Sequence, residues 1–317
     1  MTGVWRWLSK ILSYALAAVL IAYAAVWAAR HWDRISAAFS LSPGCLVLLL
    51  PTVVVSVLTA GLMTQLMARH LGAPLRFVQW ASLAFATMFA NYVLPMRAGL
   101  AVRAAYYKRQ AGLSIARFTS FTAASYLITI LVNSLIVLAA LLWIGLGRGV
   151  TSWPLLWGAL VVVVLCGSVL AFSPKPSEER PASGVRGALV RVHTGWEMLR
   201  SRPALLWTVG ALSFVATLLY TLRLYVAFAA IGYSVDAAGC VLIGALVALS
   251  MFISITPAAL GIREAAVVFS SLAVGVSPEI SLVAATMDRA VTMLVVFVIG
   301  PFATVYISRQ SAKTGQQ

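Results

Sequence analysis

Apolar residues in this chain run in long unbroken blocks rather than in alternation. Blocks long enough to cross a hydrocarbon layer as one helix, ~20 residues each, fall at 11–29, 44–67, 118–146, 153–172, 204–231 and 279–308. Two further apolar stretches, 77–117 and 238–276, are each interrupted near the middle by Pro and Gly. The pattern predicts an all-α polytopic membrane protein with six full transmembrane helices and two broken, re-entrant helical hairpins, eight membrane segments in all. The only long polar segment, 173–203, carries Pro, Ser and mixed charge. It reads as a linker with one short surface helix at about 185–200, too short to be a catalytic domain.

The two interruptions echo each other. One reads NYVLPMRAGLAVRAAYYKRQAG from Asn91 to Gly112, the other SITPAALGIREAAVVFSSLAVG from Ser254 to Gly275. With a one-residue gap, Pro95, Gly99 and Gly112 align with Pro257, Gly261 and Gly275, and after the Pro-x-x-x-Gly each copy carries a charged residue followed by two alanines, Arg103-Ala104-Ala105 in one and Glu264-Ala265-Ala266 in the other. Broken helices persist at membrane depth only where they line a protected cavity, so matching breaks in two halves point to a binding site. The chain divides accordingly into a first repeat over 1–146 with its hairpin near 77–117, a fourth span and linker over 147–203, and the remainder of a second repeat over 204–317 with its hairpin near 238–276. If each hairpin enters and leaves on one side, the halves run in opposite directions, as an inverted repeat.

Charge sharpens this picture. The chain is 62% hydrophobic and 10% charged, with mean hydropathy +0.97, whereas soluble domains carry roughly a quarter charged residues. A soluble fold is excluded. Lys and Arg number 23 against 8 Asp and Glu, a net charge of +15, which in so apolar a chain reads as anchoring of cytoplasmic loops rather than nucleic-acid binding. The hairpin topology puts 17 of the 23 cations on or near the cytoplasmic side, Arg97, Arg103, Lys108, Arg109 and Arg117 among them, and only Arg30, Arg34 and Arg148 outside. Both termini are then cytoplasmic, in the inner membrane of a prokaryote. The run from Ile11 to Ala29 exceeds the ~7–15 residues of a signal-peptide core and reads as a retained helix. Trp5, Trp7, Trp27, Trp32, Trp153 and Trp157 sit near span ends as interface anchors.

Charges at membrane depth cost ~2.5–3.5 kcal/mol each on insertion scales, so they persist where they meet a cavity or a partner. The candidates for substrate binding are Arg97, Arg103, Arg223, Arg263, Glu264, Asp288 and Arg289. Arg97 and Arg103 beside a half-helix start suit a phosphate; the alternative is that both snorkel to the headgroups. Arg263, Glu264, Asp288 and Arg289 hold two charges of each sign. Neighbours on a helix diverge, so pairing must run between segments, for example Glu264 with Arg289 or Asp288 with Arg263. A carboxylate released from such a pair could take up a proton and couple transport to a gradient. Pro95, Gly99, Pro257 and Gly261 make the breaks. Asn91 and Asn133 read as helix-to-helix hydrogen bonders. Cys45, Cys166 and Cys240 stand alone in apolar blocks, and His31, His70 and His193 in separate segments, so no metal, cofactor or catalytic constellation is expected.

The motifs LPxRAGxxxRA, from Leu94 to Ala104, and TPxxxGxREAA, from Thr256 to Ala266, followed by Gly275-Val276-Ser277 and Asp288-Arg289, resemble the flippase-like transmembrane domain of lysylphosphatidylglycerol synthases. The resemblance covers nearly the whole chain. It implies the translocating part of such proteins without their aminoacyl-transferase domain, and some free-standing members are associated with glycosyltransferases or hopanoid synthesis. Where many members carry an acidic-Arg pair after the first hairpin, this chain has Ser125 and Tyr126, and Leu100 stands where an acid is common. The function expected is transport of an anionic or polar-headed lipid, a phospholipid or prenyl-phosphate-linked lipid, between leaflets. Two rivals stand beside it: a non-transporting adaptor for a glycosyltransferase or lipid-modifying enzyme, and a secondary transporter of a small anion.

Overall fold

The computed structural model of the chain describes residues 43–94, 98–149, 152–172, 184–253 and 256–314. The predicted helix at 11–29, Arg6, Lys10, Arg30, Arg34, the break residue Pro95, the candidate Arg97, and linker residues 173–183 lie outside the described residues.

The described residues form ten α-helices with no strand among them: α1 (Pro43–His70), α2 (Phe77–Val93), α3 (Ala98–Ala111), α4 (Ile115–Arg148), α5 (Trp153–Phe172), α6 (Gly184–Arg200), α7 (Pro203–Ala230), α8 (Ala237–Ser250), α9 (Ile262–Leu272) and α10 (Pro278–Thr314). Four stretches are long and apolar enough to cross a membrane, Val47–His70, Ile115–Gly147, Pro203–Ala230 and Pro278–Ser311, while α5 supplies a shorter one, Trp153–Val169. Large apolar side chains such as Leu146, Trp207 and Phe302 are exposed along these helices, as a lipid-facing surface requires. The protein is a multi-pass membrane protein.

Helix ends depart from the apolar blocks where polar groups set them. The α4 helix starts before the predicted 118 because Ser114 Oγ accepts the Arg117 amide at 3.3 Å, a polar cap that a hydropathy pattern does not register. The helix expected near 185–200 is present as α6. It is packed rather than lying free: its apolar face lies on α4, with Leu199 and His193 buried.

A long, short, short, long order of helices occurs twice, in α1 to α4 and in α7 to α10. Long helices α1 and α7 pack on one another, α2 packs on α10, and α8 packs on α4. The first arm of each short pair is thus held by the last helix of the other set. Ala73, Tyr107, Leu113 and Ile307 share one buried cluster, gathering the start of α2, the end of α3, the start of α4 and the end of α10. Ile231, Val235, Val276 and Val283 share another, gathering the end of α7, the start of α8, the end of α9 and the start of α10. The first of these ends carries Arg69, Arg76, Lys108, Arg109, Arg117, Arg200, Arg202 and Arg309 with Glu197; the second carries Arg148, Asp236 and Glu279.

Candidate functional site

The second break is built from unusual backbone. After α8 the chain makes single 3-10 turns at Met251–Ile253 and Pro257–Ala259, and Ala258 and Ala259 take left-handed φ of 50° and 53°. Each such residue costs about 1–2 kcal/mol when it carries a Cβ, so surrounding bonds must hold it. The Thr256 hydroxyl donates to the Leu260 carbonyl at 2.8 Å, the Ala259 amide to the Thr256 carbonyl at 3.1 Å, and Arg289 Nη2 to the Ala258 carbonyl at 3.2 Å. Gly261, at φ 78°, then turns the chain into α9, its amide donating to Glu264 Oε2 at 2.8 Å.

From that first turn of α9, Arg263 and Glu264 diverge as adjacent helical residues must. Glu264 pairs with Arg289 of α10. Arg263 reaches Asp288, whose side chain is fully buried and also accepts Arg223 Nε of α7 at 2.9 Å. Arg223 further donates to the Thr292 hydroxyl, one turn beyond Asp288. Tyr220 completes the cluster: its hydroxyl accepts from Arg263 Nε at 3.0 Å. The Arg263 and Arg223 guanidiniums lie 5.0 and 5.6 Å from its ring centre, within cation–π range. Both sequence-predicted pairings, Glu264 with Arg289 and Asp288 with Arg263, are present, and Arg223 joins the second of them. The pairing locks α7, α9 and α10 together around two carboxylates shared by three arginines.

The first break is built differently. Asn91 Oδ1 of α2 accepts the Gly99 amide at 2.9 Å, closing the start of α3. A Cβ at residue 99 would run into the Thr87 carbonyl and Asn91, which is why glycine stands there. Arg103 sits more than one turn into α3, whose Gly99 amide at the helix start is taken by Asn91. The half-buried Arg103 donates instead from Nη1 to the Thr64 hydroxyl of α1 at 2.6 Å, with a longer 3.5 Å approach of Nε to Thr87. Below it, the Tyr107 hydroxyl donates to Gln65 at 3.1 Å. No carboxylate among the described residues pairs with Arg103.

Aromatic rings connect the two breaks. Tyr126 of α4 lies within electrostatic reach of Arg103 and packs edge-on against Phe252 beside the second break, with ring centres 5.4 Å apart. Tyr92 at the end of α2 lies within reach of Arg263 and packs against Phe297 of α10. Between the long helices, Asn133 accepts the Thr217 hydroxyl at 2.8 Å and Thr129 bonds Ser213 at 2.9 Å, a polar seam from α4 to α7. One turn along α9 from Arg263 an apolar cavity of about 380 Å³ opens among Ile130, Leu249, Phe252, Ala266 and Phe269.

Of the sequence-predicted site residues, Arg223, Arg263, Glu264, Asp288 and Arg289 are gathered at the second break and Arg103 stands at the first, while Arg97 lies outside the described residues. Pro257 and Gly261 form the second break and Gly99 the first. Asn91 and Asn133 are the helix bonders the sequence suggested. Thr64, Thr87 and Thr292 escape sequence reading, because a lone threonine in an apolar helix carries no pattern; only spacing helps, Thr292 lying four residues after Asp288. Among the described residues no group of three His, Cys, Asp or Glu could hold a metal ion.

No curated protein matches the chain. A family model does, that of the lysylphosphatidylglycerol synthase transmembrane region, over residues 10–300. Spanning both breaks and nearly every helix described above, that match makes this chain a member of the lysylphosphatidylglycerol synthase transmembrane-region family.

Proposed function

We propose that this protein moves an anionic or polar-headed lipid between leaflets, its headgroup passing through the polar zone between the two breaks while its chains stay in the bilayer. The observation that carries the reading is charge. Among the described residues, Arg103, Arg223, Arg263 and Arg289 stand against Glu264 and Asp288, four cations to two acids at membrane depth, a surplus of two. A surplus of that kind is costly unless a counter-charge visits, and an arginine fork suits a phosphate. The apolar cavity beside Phe252 and Phe269 offers room for hydrocarbon next to the charged cluster.

The order of the described helices supports an inverted repeat in this reading, and the sequence-predicted helix at 11–29 would bring the membrane segments to eight. The hairpin of α2 and α3 opens at the cation-rich end, and that of α8 and α9 at the other. With the cation-rich end cytoplasmic, both sides of the membrane have a broken hairpin leading inward. An adaptor without transport has no use for uncompensated arginines in its interior, which favours carriage. The test is reconstitution of purified protein into liposomes holding a fluorescent or radiolabelled phospholipid or prenyl phosphate. Translocation above protein-free liposomes is expected; none for any anionic lipid would sink the reading.

A further inference from the structure

We infer that the cavity where α1, α4, α6 and α7 meet is a second anion site that takes a phosphate group. This site does not depend on the transport reading. The cavity, of about 330 Å³, lies at the cation-rich end, with Arg117 of α4 and Arg202 before α7 on its walls beside His70 and Ser201. That volume is within the ~300–1,000 Å³ of ligand pockets. No carboxylate among the described residues lines it. Glu197, the acid nearest in sequence, sits one turn before Ser201 on α6.

Two features separate it from a cationic surface. First, Arg202 is already positioned: its Nη1 donates to the His70 carbonyl at 3.0 Å, which holds the guanidinium at the cavity and leaves further N–H groups free for a fork on phosphate oxygens. Second, the floor is apolar. Phe121 and Leu205 are buried there in a cluster with Leu199 and Met67. Cations above a greasy floor match a phosphodiester joined to glycerol or hydrocarbon. An occupant would also tie Arg117 to Arg202, and so α4 to α7.

The shared chemistry is a phosphate, from an anionic lipid headgroup or from free phosphate, and the experiment distinguishes them. Purified full-length protein in a neutral detergent is titrated with phosphatidylglycerol, phosphatidylcholine or inorganic phosphate. Binding is followed by native mass spectrometry and by the shift in unfolding temperature. Protection by phosphatidylglycerol alone identifies a lipid site, and protection also by inorganic phosphate identifies a site for the free anion. Arg117→Gln and Arg202→Gln are each expected to weaken the protecting ligand about tenfold, the scale of a charge-assisted hydrogen bond. Lys108→Gln and Arg109→Gln, at the same end but outside the cavity, leave it within about twofold. Because Arg202 also caps α1, Arg202→Lys serves as a folding control that keeps charge and loses the fork. Equal effects inside and outside the cavity, or no protection by any phosphate, overturn the site. Transport variants at Arg103 are expected to leave this binding unchanged, so failure here and failure of the transport reading are separable.

Discussion

Arg223 on α7 donates from Nε to Oδ1 of Asp288 on α10 at 2.9 Å, across 65 residues of sequence. Asp288 is the fully buried acid of the cluster, and Arg263 holds its other oxygen. Three elements therefore depend on one carboxylate.

Removing that charge should be the most damaging single change in the cluster. Asp288→Asn leaves Arg223 and Arg263 buried side by side with no counter-charge, and breaking a buried pair from one side costs ~3–5 kcal/mol. The expected result is a lower unfolding midpoint in detergent. Glu264→Gln should cost less, because its side chain is 15% exposed and an amide oxygen can still accept the Gly261 amide. A wild-type midpoint for Asp288→Asn would show that the network contributes nothing to stability.

Arg103 separates headgroup binding from anchoring. Arg103→Ala is expected to abolish most lipid translocation in liposomes, and Arg103→Lys to recover part of it, since a point charge keeps the attraction and loses the fork. Lys108→Gln, on an exposed face of the same helix, should change the rate little, in line with ~1 kcal/mol of surface attraction. Equal small effects at both positions would move the site toward Glu264 and Asp288.

The close approach at the first break is open to a direct stability test. Gly99→Ala drives a Cβ into the Thr87 carbonyl, backbone that cannot rotate away, and overpacking of this kind costs ~1–3 kcal/mol. Gly158→Ala on α5 meets nothing within 4 Å and should be neutral or gain up to ~1 kcal/mol of helix propensity. Similar unfolding midpoints for the two variants would argue against the tight contact of α3 with α2.

Topology can be read by labelling. In a background with Cys45, Cys166 and Cys240 replaced, single cysteines at the exposed positions Lys108 and Ala273 should react with an impermeant maleimide from opposite sides of the membrane. Labelling of both from one side would end the inverted arrangement and much of the transport argument with it.

The proposed role as a carrier rather than an enzyme makes a further claim. Supplied with charged tRNA or a nucleotide sugar, the purified protein should leave lipid unmodified, and product above a protein-free control would reveal a membrane-embedded enzyme.

Much of this architecture is legible in sequence because the bilayer leaves few choices. Apolar blocks of sufficient length have to be helices when the backbone must satisfy itself, so α1, α4 and α7 are readable to within a few residues, while α10 runs on past the predicted 308 to Thr314. Pro95, Gly99, Pro257 and Gly261 mark the breaks because those residue types punctuate any helix, and the isolated charges announce themselves by their cost. That Arg263 and Glu264 pair with another segment rather than with each other is also legible, since adjacent helical residues point apart.

Other features needed the tertiary structure. That Arg223 completes the coordination of Asp288 depends on how α7 turns against α10, which no local pattern encodes. The left-handed Ala258 and Ala259 are invisible in sequence, since alanine has no preference for that conformation. It is imposed by Thr256 and by Arg289 reaching back from α10. Arg103 stands near a helix start in sequence, and it is Thr64, from α1, that decides where its guanidinium goes. Composition and period determine which segments are helical and where they break, because those are local consequences of chain chemistry and the surrounding lipid. Which hydroxyl meets which arginine is decided only when distant helices pack, since that energy exists between segments and not within any one of them.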